Sequence, residues 1–380
     1  MSNRGRVLAL ASAGVVVSAV VVASLSAPAA QAQQKRKLDK AQQQEADALT
    51  QLVNQAQAGL QVPADLPISI EAYHYFKSAT GATYVPFTMV IDTSKASSPA
   101  VSVMLRVVKK GAAAPTQAQG KVPGVVPATD PAVADSSDLR SRMDADRAQA
   151  EANKDKLPPL PPASFQDLYF VNVAPLAGGP GRLARAFQVE PGDYDVYVAV
   201  KEREPADKKN QKMAVCSQSF ILPNLAIPGD LTLSSVMLLA RTEELKQQPT
   251  AEQQREHPYA IGAIEIVPVV GTKLAVTDPL QVFFQIYNYT LVQGNKPDVI
   301  VEYNFYRKLD SGEKYFNKTE PEVLNAASVN PMFDGTKHQL SSGITVPAGK
   351  IPVGAYRLEI KVTDKPSGKS LTRNLEFSVS

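Results

Sequence analysis

The residue types that most often carry out catalysis are sparse in this chain. It has three histidines and one cysteine, namely His74, His257, His338 and Cys216. No two histidines stand at metal-ligand spacing and there is no His-Glu-x-x-His motif, so a zinc centre is not expected. No Gly-x-Ser-x-Gly elbow is present, and Cys216 falls in a predicted strand beside no obvious base, which favours an inert buried thiol. We therefore expect no catalytic residue, no metal ion and no cofactor.

Two other patterns match known sites only in part. Asp193 and Asp195 alternate along one predicted strand, so their carboxylates share a face, as a glycosidase pair would require. A solvated sheet face explains the same spacing and is the commoner arrangement. The segment Gly178-Gly179-Pro180-Gly181 is as rich in glycine as a phosphate-binding loop. Such loops lead into a helix, however, and the strand pattern that follows this segment predicts a turn.

Aromatic residues form the most promising binding feature. Phe283, Phe284, Tyr287 and Tyr289 lie on or just after one predicted strand, and Tyr303, Phe305 and Tyr306 lie on the next. Strand alternation sends Phe284 to one face and Tyr287 with Tyr289 to the other. We select Tyr287, Tyr289 and Tyr303 as a candidate binding surface for a sugar or a peptide. The alternative is that both faces are covered, one by a facing sheet and the other by a neighbouring domain or a loop.

The strands that carry these residues belong to a pattern that occurs twice. The segment from Pro191 to Val200 matches the segment from Val353 to Val362: a glycine allows a tight entry turn, and a tyrosine with aliphatic residues then follows at alternate positions. In both copies a polar turn leads to a closing strand, Met213 to Leu222 and Leu371 to Val379. Each pair is typical of a hairpin.

The match between the copies extends upstream along the chain. Tyr84 to Ile91 corresponds to Leu280 to Tyr287, and Val101 to Lys109 corresponds to Val299 to Lys308. Short strands separated by turns, with little helical periodicity, favour antiparallel sandwiches over barrels or βαβ units. The sequence therefore predicts an all-β protein with two tandem immunoglobulin-like β-sandwich domains, at 64–223 and 230–380.

One long insertion distinguishes the first copy from the second. Residues 111–163 are rich in Ala, Pro, Gln and Asp, and they end in the polyproline-like stretch Leu157-Pro158-Pro159-Leu160-Pro161-Pro162. Long loops in compact domains are either functional or disordered. Apolar residues are too sparse here to offset the entropy of ordering, which favours disorder.

The N-terminus has the features of an export signal. Arg4 and Arg6 precede an apolar run from Val7 to Leu25, and Ala30-Gln31-Ala32 fits signal peptidase, so we predict a signal peptide at 1–32 with cleavage after Ala32. The run is also nearly long enough to be kept as a membrane anchor. Residues 33–63 are predicted to be a helical or disordered spacer, because their apolar stripe is thin. Both alternatives place the bulk of the chain in the periplasm or outside the cell.

Composition and charge exclude several classes of protein. The formal net charge is +3 over 380 residues, and removing the arginines of the signal segment leaves about +1, which gives no reason to expect nucleic acid. With one cysteine there is no internal disulfide, so stability must come from apolar burial. The 29 prolines and the absence of tryptophan fit loops and edge strands better than long helices.

The repeated segments also resemble a known region. Residues 229–238, Gly-Asp-Leu-Thr-Leu-Ser-Ser-Val-Met-Leu, and the strand from Gly354 to Ile360 with its Asp364 turn resemble the C-terminal β-rich region of secreted acidobacterial proteins of the GWxTD-motif and VWFA-related groups. That region has no assigned activity to carry over. Without tryptophan the GWxTD motif itself is absent. Of a VWFA metal site only Asp92 and Ser94 are present, because Ala96 replaces the third ligand, so a polar hairpin loop is predicted.

Taken together, these features predict a protein that acts by binding. We expect an exported, non-catalytic binding or scaffolding protein of the bacterial envelope, whose partner is a protein or a polysaccharide. Membrane contact is expected only if the N-terminal segment is kept, and the oligomeric state is left open. Two alternatives remain: a carbohydrate-binding accessory module, and a hydrolase with a carboxylate site that the sequence does not reveal.

Overall fold

A computed structural model describes residues 38–113, 160–173, 180–250 and 252–380. Strands dominate this part of the chain, together with a helix near its start and two short 3-10 turns, Lys208–Asn210 and Gln253–Arg255. The helix and strands are α1 Lys40–Gln57, β1 Ile68–Tyr73, β2 Phe76–Lys77, β3 Thr83–Ile91, β4 Ala100–Lys109, β5 Ala163–Asn172, β6 Gly181–Val189, β7 Gly192–Glu202, β8 Met213–Leu222, β9 Thr232–Leu233, β10 Met237–Glu244, β11 Ala260–Ile261, β12 Ile264–Pro268, β13 Lys273–Leu274, β14 Leu280–Tyr287, β15 Val299–Leu309, β16 Gly312–Lys318, β17 Glu322–Leu324, β18 Leu340–Val346, β19 Gly354–Asp364 and β20 Lys369–Val379.

Strands β1 to β8 form the first sandwich, which we call unit 1. Its smaller sheet is built on β3, with β6 along one edge and β1 and β2 in succession along the other. Its larger sheet has the order β5-β4-β7-β8. Every pairing in both sheets is antiparallel.

Strands β9 to β20 form the second sandwich, unit 2, which repeats this topology. Here β14 takes the place of β3, with β18 on one edge and β9 and β10 on the other. In the larger sheet, β20, β19 and β15 are adjacent, and β16 and β17 both pair with β15. Unit 2 adds β13, which pairs parallel with the end of β20. It also adds an extension at residues 241–268, which we call the arm, where β12 pairs antiparallel with β10 and with β11.

The register confirms that the two units share one pattern. Strands β7 and β19 are both eleven residues long, and Gly192, Tyr194 and Glu202 of the first correspond to Gly354, Tyr356 and Asp364 of the second. The two glycines have φ values of 146° and 153°, which L side chains rarely adopt. At Gly354 a Cβ would also lie 3.1 Å from Nε of Arg307, so the entry turn requires glycine.

Each unit buries its own apolar core between its two sheets. In unit 1 the inward positions of β3, β4 and β7 are almost all aliphatic or aromatic, and unit 2 does the same with β14, β15 and β19. Every second side chain of these strands enters the core, as the two-residue period of a β-strand requires. The predicted fold class, all-β with two immunoglobulin-like antiparallel sandwiches, is thus confirmed.

Helix α1 packs on the outer face of the larger sheet of unit 1. Asp39 caps its first turn in a capping box with Gln42, and Leu49 and Val53 are fully buried against β4 and β7. Glu45 adds an ion pair with Lys201 at 2.7 Å. Within the predicted helical or disordered spacer, residues 40–57 are thus a helix, and its thin apolar stripe packs on the apolar outer face of this sheet, at Met104 and Ala199.

Several predictions concern residues outside the described ranges. The signal peptide at 1–32 with its cleavage point lies there, as do residues 114–159 of the insertion. Among the described helices, none is long and apolar enough to cross a membrane. In unit 2 the connection equivalent to the insertion is the short turn at Asp310 and Ser311 between β15 and β16.

Candidate binding cleft at the junction of the two units

The three tyrosines that the sequence selects as a binding surface do not form one. Tyr287 and Tyr303 are each 1% exposed, so the prediction is wrong for both. Tyr287 lies against unit 1, whereas Tyr303 lies in the core between the two sheets. Tyr289 is half-buried in the loop after β14, packed against the core of unit 2. The structure instead agrees with the alternative, in which both faces of this sheet are covered.

Tyr303 belongs to a buried polar cluster. Its hydroxyl lies 2.8 Å from Oγ of Ser342, and that Oγ donates to Oε2 of Glu322 at 2.6 Å. Burial raises the pKa of Glu322 above its ordinary value. Ser342 and Tyr303 are enclosed between the sheets, so these groups touch each other rather than a substrate. In unit 1 the strand registers place Leu105 at the position of Tyr303 and Leu183 at the position of Ser342. This polar cluster is therefore particular to unit 2.

A third apolar cluster joins the two units. Phe76 and Tyr84 of unit 1 pack with Met237, Leu239 and Phe283 of unit 2, and all five side chains are buried. The cluster also includes residues of the arm: Tyr259, Ile261 and Ile266. Burying large side chains of this kind stabilises by about 1.5–3 kcal/mol each. The junction is thus a small core of its own, and it holds the two sandwiches in one arrangement.

Hydrogen bonds add directional contacts across the junction. The backbone N–H of Tyr75 donates to Oγ of Ser235 at 2.9 Å, and the N–H of Ser235 donates back to the carbonyl of Tyr75 at 3.0 Å. The N–H of Lys77 donates to the hydroxyl of Tyr287 at 3.1 Å, and that hydroxyl donates to Oε1 of Gln285 at 2.7 Å. These bonds give the backbone N–H groups of Tyr75, Lys77 and Ser235 acceptors across the junction.

The arm of unit 2 also contacts strand β5 of unit 1. Arg255 of the arm donates to Asp167 of β5 at 2.5 Å, and its guanidinium lies over the ring of Tyr169. Arg185 of β6 lies over the same ring, 4.7 Å from its centroid. Arg255 thus joins the arm to unit 1 by an ion pair with Asp167 and a cation–π contact with Tyr169.

Beside this junction lies a cleft of about 560 Å³. Unit 1 contributes the outer face of its smaller sheet through Thr88, Arg182 and Ala184. Unit 2 contributes strands β10 and β12 and the segment that leads to β14. These residues are Leu239, Ala240, Arg241, Tyr259, Glu265, Ile266, Val267, Pro268, Val269, Val270, Lys273, Leu274, Asp278 and Pro279. Sites for ligands typically have volumes of this size and often lie between domains.

The cleft combines an apolar floor with charged groups of both signs. Arg182 is paired with Glu71 at 2.9 Å, and Glu265 is hydrogen-bonded to Nδ1 of His257 at 2.7 Å. Lys273 lies in the same lining. Such an arrangement suits recognition of a surface that is apolar at its centre and polar at its edge.

Other groups that the sequence points to have structural partners. Oδ1 of Asp92 accepts from the N–H of Ser94, which is the hairpin-loop geometry predicted there. Asp195 lies beside Lys110 and accepts from Ser219 on the solvated face of the larger sheet. Cys216 is half-buried, and burial raises the pKa of its thiol to about 11. Within the described ranges, no three His, Cys, Asp or Glu side chains come together as a metal site.

Sequence reasoning missed the cleft because the arm was not recognised. The segment from Met237 to Pro268 contains three strands, β10, β11 and β12, and unit 1 has no counterpart of β11 and β12 among its described strands. The extra length of unit 2 between β10 and β14 was the available signal. Which surface such a hairpin meets depends on non-local contacts, and alternation along one strand does not report these.

Comparisons with known proteins assign no family to this chain. No family model matches it, and no curated protein matches it. Among solved structures it is similar to a family 123 glycoside hydrolase from Clostridium perfringens, at 12% identity and TM-score 0.19, over 40% of this chain and 27% of that one. It is also similar to a trypsin-activated α2-macroglobulin from Escherichia coli, at 10% identity and TM-score 0.21, over 84% of this chain and 17% of that one. The chain thus spans about a quarter or less of these proteins, and likenesses at this level assign no function.

Proposed function

We propose that this chain is an exported, non-catalytic binding or scaffolding protein of the bacterial envelope, and that it binds a protein partner in the cleft between its two units. The observation that carries the proposal is the cleft itself, with its apolar floor and its charged border of Arg182, Arg241 and Glu265. Because the shared core fixes the two sandwiches, the cleft is already formed before a partner arrives. Preformed sites bind more tightly, since less conformational entropy is lost.

A protein partner fits the cleft better than a polysaccharide. Sugar binding commonly relies on an exposed aromatic ring as a stacking platform. Tyr259 is the aromatic residue in the cleft lining, and it is only 5% exposed because its ring packs into the junction core. Val267, Pro268 and Val270, which are half-buried or exposed in the same lining, instead provide an aliphatic surface that suits the apolar side chains of a protein.

Capture from an envelope extract tests this function. The wild-type chain is compared with Ala240→Trp, which places a large ring at an exposed strand position in the cleft, and with Ala355→Trp, which makes the same change on the exposed face of β19. A partner that binds in the cleft is retained by the wild type and by Ala355→Trp and is lost with Ala240→Trp. Equal capture by all three, or no saturable binding by the wild type, contradicts the proposal.

A further inference from the structure

Strand β8 ends the larger sheet of unit 1 and has one edge that no strand of the described chain covers fully. Residues 63–65 cover only its beginning: Asp65 N–H donates to the carbonyl of Met213 at 2.9 Å, and Val215 N–H donates to the carbonyl of Pro63 at 3.3 Å. In an antiparallel ladder the backbone groups of alternate residues point to opposite edges. Ser217, Ser219 and Ile221 follow Met213 and Val215 at every second position, so their backbone N–H and C=O groups also point away from β7.

Within the described part of the chain, this open stretch has none of the usual protection of an edge strand. Natural edges are blunted by charges, by proline or by a covering segment. From Met213 to Leu222 there is no charged residue and no proline, and Ser217 and Ser219 are exposed. The side chain of Ile221 is 70% exposed. The strand thus combines free backbone groups, neutrality and an exposed aliphatic side chain.

The equivalent strand of unit 2 shows how this scaffold treats the same edge. There β13 pairs with the end of β20, opposite Ser378 and Val379. Much of the rest of β20 is exposed and carries Lys369, Arg373 and Glu376. One unit therefore covers and charges this edge, whereas the other leaves the edge of β8 neutral within the described chain.

We propose that two copies of this chain pair through β8, edge to edge and antiparallel, about a two-fold axis that passes beside Ser219. In that register Ser219 lies opposite Ser219 of the second copy, and Ser217 lies opposite Ile221. The three outward residues of each strand then face one another, which provides on the order of six backbone hydrogen bonds. The pairing creates one continuous sheet through both copies.

Two observations favour a second copy as the occupant of this edge. The neutrality of the edge means that two identical edges meet without like-charge repulsion. The segment at 63–65 already pairs antiparallel with the beginning of the same edge, through Ala64 and Ala214, so the edge accepts this direction.

Cysteine cross-linking tests the register directly. Residues opposite each other in a hydrogen-bonded antiparallel pair have Cα atoms about 5.5 Å apart, within the range that a disulfide spans. Ser219→Cys is expected to form a covalent dimer on mild oxidation. Ser217→Cys, whose equivalent in the second copy is displaced by four residues, is the matched control and is expected to stay monomeric on a denaturing gel. Equal cross-linking of both variants, or of neither, overturns the proposed pairing.

Sedimentation of the exported chain tests the association itself. The wild type is expected to dimerise reversibly with concentration, and Ser219→Lys is expected to sediment as a monomer, because two lysines would meet at the axis. Thr372→Lys, on the exposed part of β20, adds the same charge elsewhere and is expected to leave the dimer intact. A wild-type chain that is monomeric at every concentration reached overturns the proposal. Partner capture in the cleft is scored separately, so either proposal can fail alone.

Discussion

Tyr194 and Tyr356 occupy the same position in the two units and make the same hydrogen bond. The hydroxyl of Tyr194 donates to the carbonyl of Glu190 at 2.7 Å, and that of Tyr356 donates to the carbonyl of Pro352 at 2.9 Å, in each case four residues upstream. Each ring is buried in the core of its unit. This contact is the tyrosine corner of β-sandwiches, and it ties the start of β7 or β19 to the turn before it.

Replacing either tyrosine by phenylalanine is expected to destabilise its unit by about 1 kcal/mol, because the ring stays packed while a backbone carbonyl loses its donor. Urea unfolding of Tyr194→Phe and Tyr356→Phe measures the change. Tyr315→Phe is the control, since Tyr315 is 51% exposed on β16. A control that loses as much stability as the corner variants would contradict this role for the hydroxyl.

Tyr287→Phe is expected to weaken the junction more than a corner variant weakens its unit. The change removes the acceptor of the Lys77 N–H and the donor to Gln285, whose side chain is fully buried. Leaving buried polar groups unpaired costs about 1–3 kcal/mol for each group. Hydrogen exchange at the Lys77 amide and urea unfolding report the loss. Unchanged protection of that amide would show that the hydroxyl does not hold the two units together.

Acid is expected to weaken the junction through His74. Its Nδ1 lies 3.1 Å from the hydroxyl of Tyr259, and burial lowers its pKa from 6.5 to about 4. Between those values the unfolded chain binds a proton that the folded chain does not, so the free energy of unfolding falls as pH decreases through this window. Below the window the effect levels off. Unfolding measured at pH steps is expected to show a shallower slope for His74→Gln, and an identical slope would refute the assignment.

Glu322 is expected to stabilise the folded chain as pH decreases, which is opposite to the effect of His74. Its pKa is raised from 4.5 by burial, so the folded chain keeps a proton that the unfolded chain has lost. The stabilising contribution is complete below 4.5 and disappears as pH rises through the folded pKa.

Glu322→Gln keeps the shape of the side chain without the titration, so at neutral pH it is expected to be at least as stable as the wild type. Glu302→Gln, on the outer face of β15, is the control. A neutral-pH loss confined to Glu322→Gln would contradict burial as the dominant effect.

Strand positions were predictable because alternation is a local property. Strands β8 and β14 have the predicted bounds, Met213 to Leu222 and Leu280 to Tyr287. Strands β3, β4, β7, β15, β19 and β20 differ from their predicted bounds by one or two residues at one or both ends. Each of these strands buries every second side chain against the facing sheet. The repeat between β7 and β19 followed from the same pattern, which sufficed to predict the class of fold.

What covers the outer face of each sheet could not be predicted in the same way. Alternation correctly separated Phe284 from Tyr287, but it does not report whether the second face meets water or another part of the chain. Phe283 and Tyr287 meet unit 1, and Leu49 of α1 meets a sheet formed more than fifty residues later. The burial of Tyr303 depended likewise on Ser342 across the sandwich. Such contacts depend on tertiary packing, which the local pattern leaves open.

The shared core at the junction makes the two units depend on each other. Phe76 and Tyr84 on one side and Met237 and Phe283 on the other shield each other from water, so neither half presents a finished surface without its neighbour. Each half therefore depends on the other for the burial of these side chains. The pair is therefore expected to pass through evolution as one inseparable module, and recombination that separates the halves would expose an apolar face that promotes aggregation.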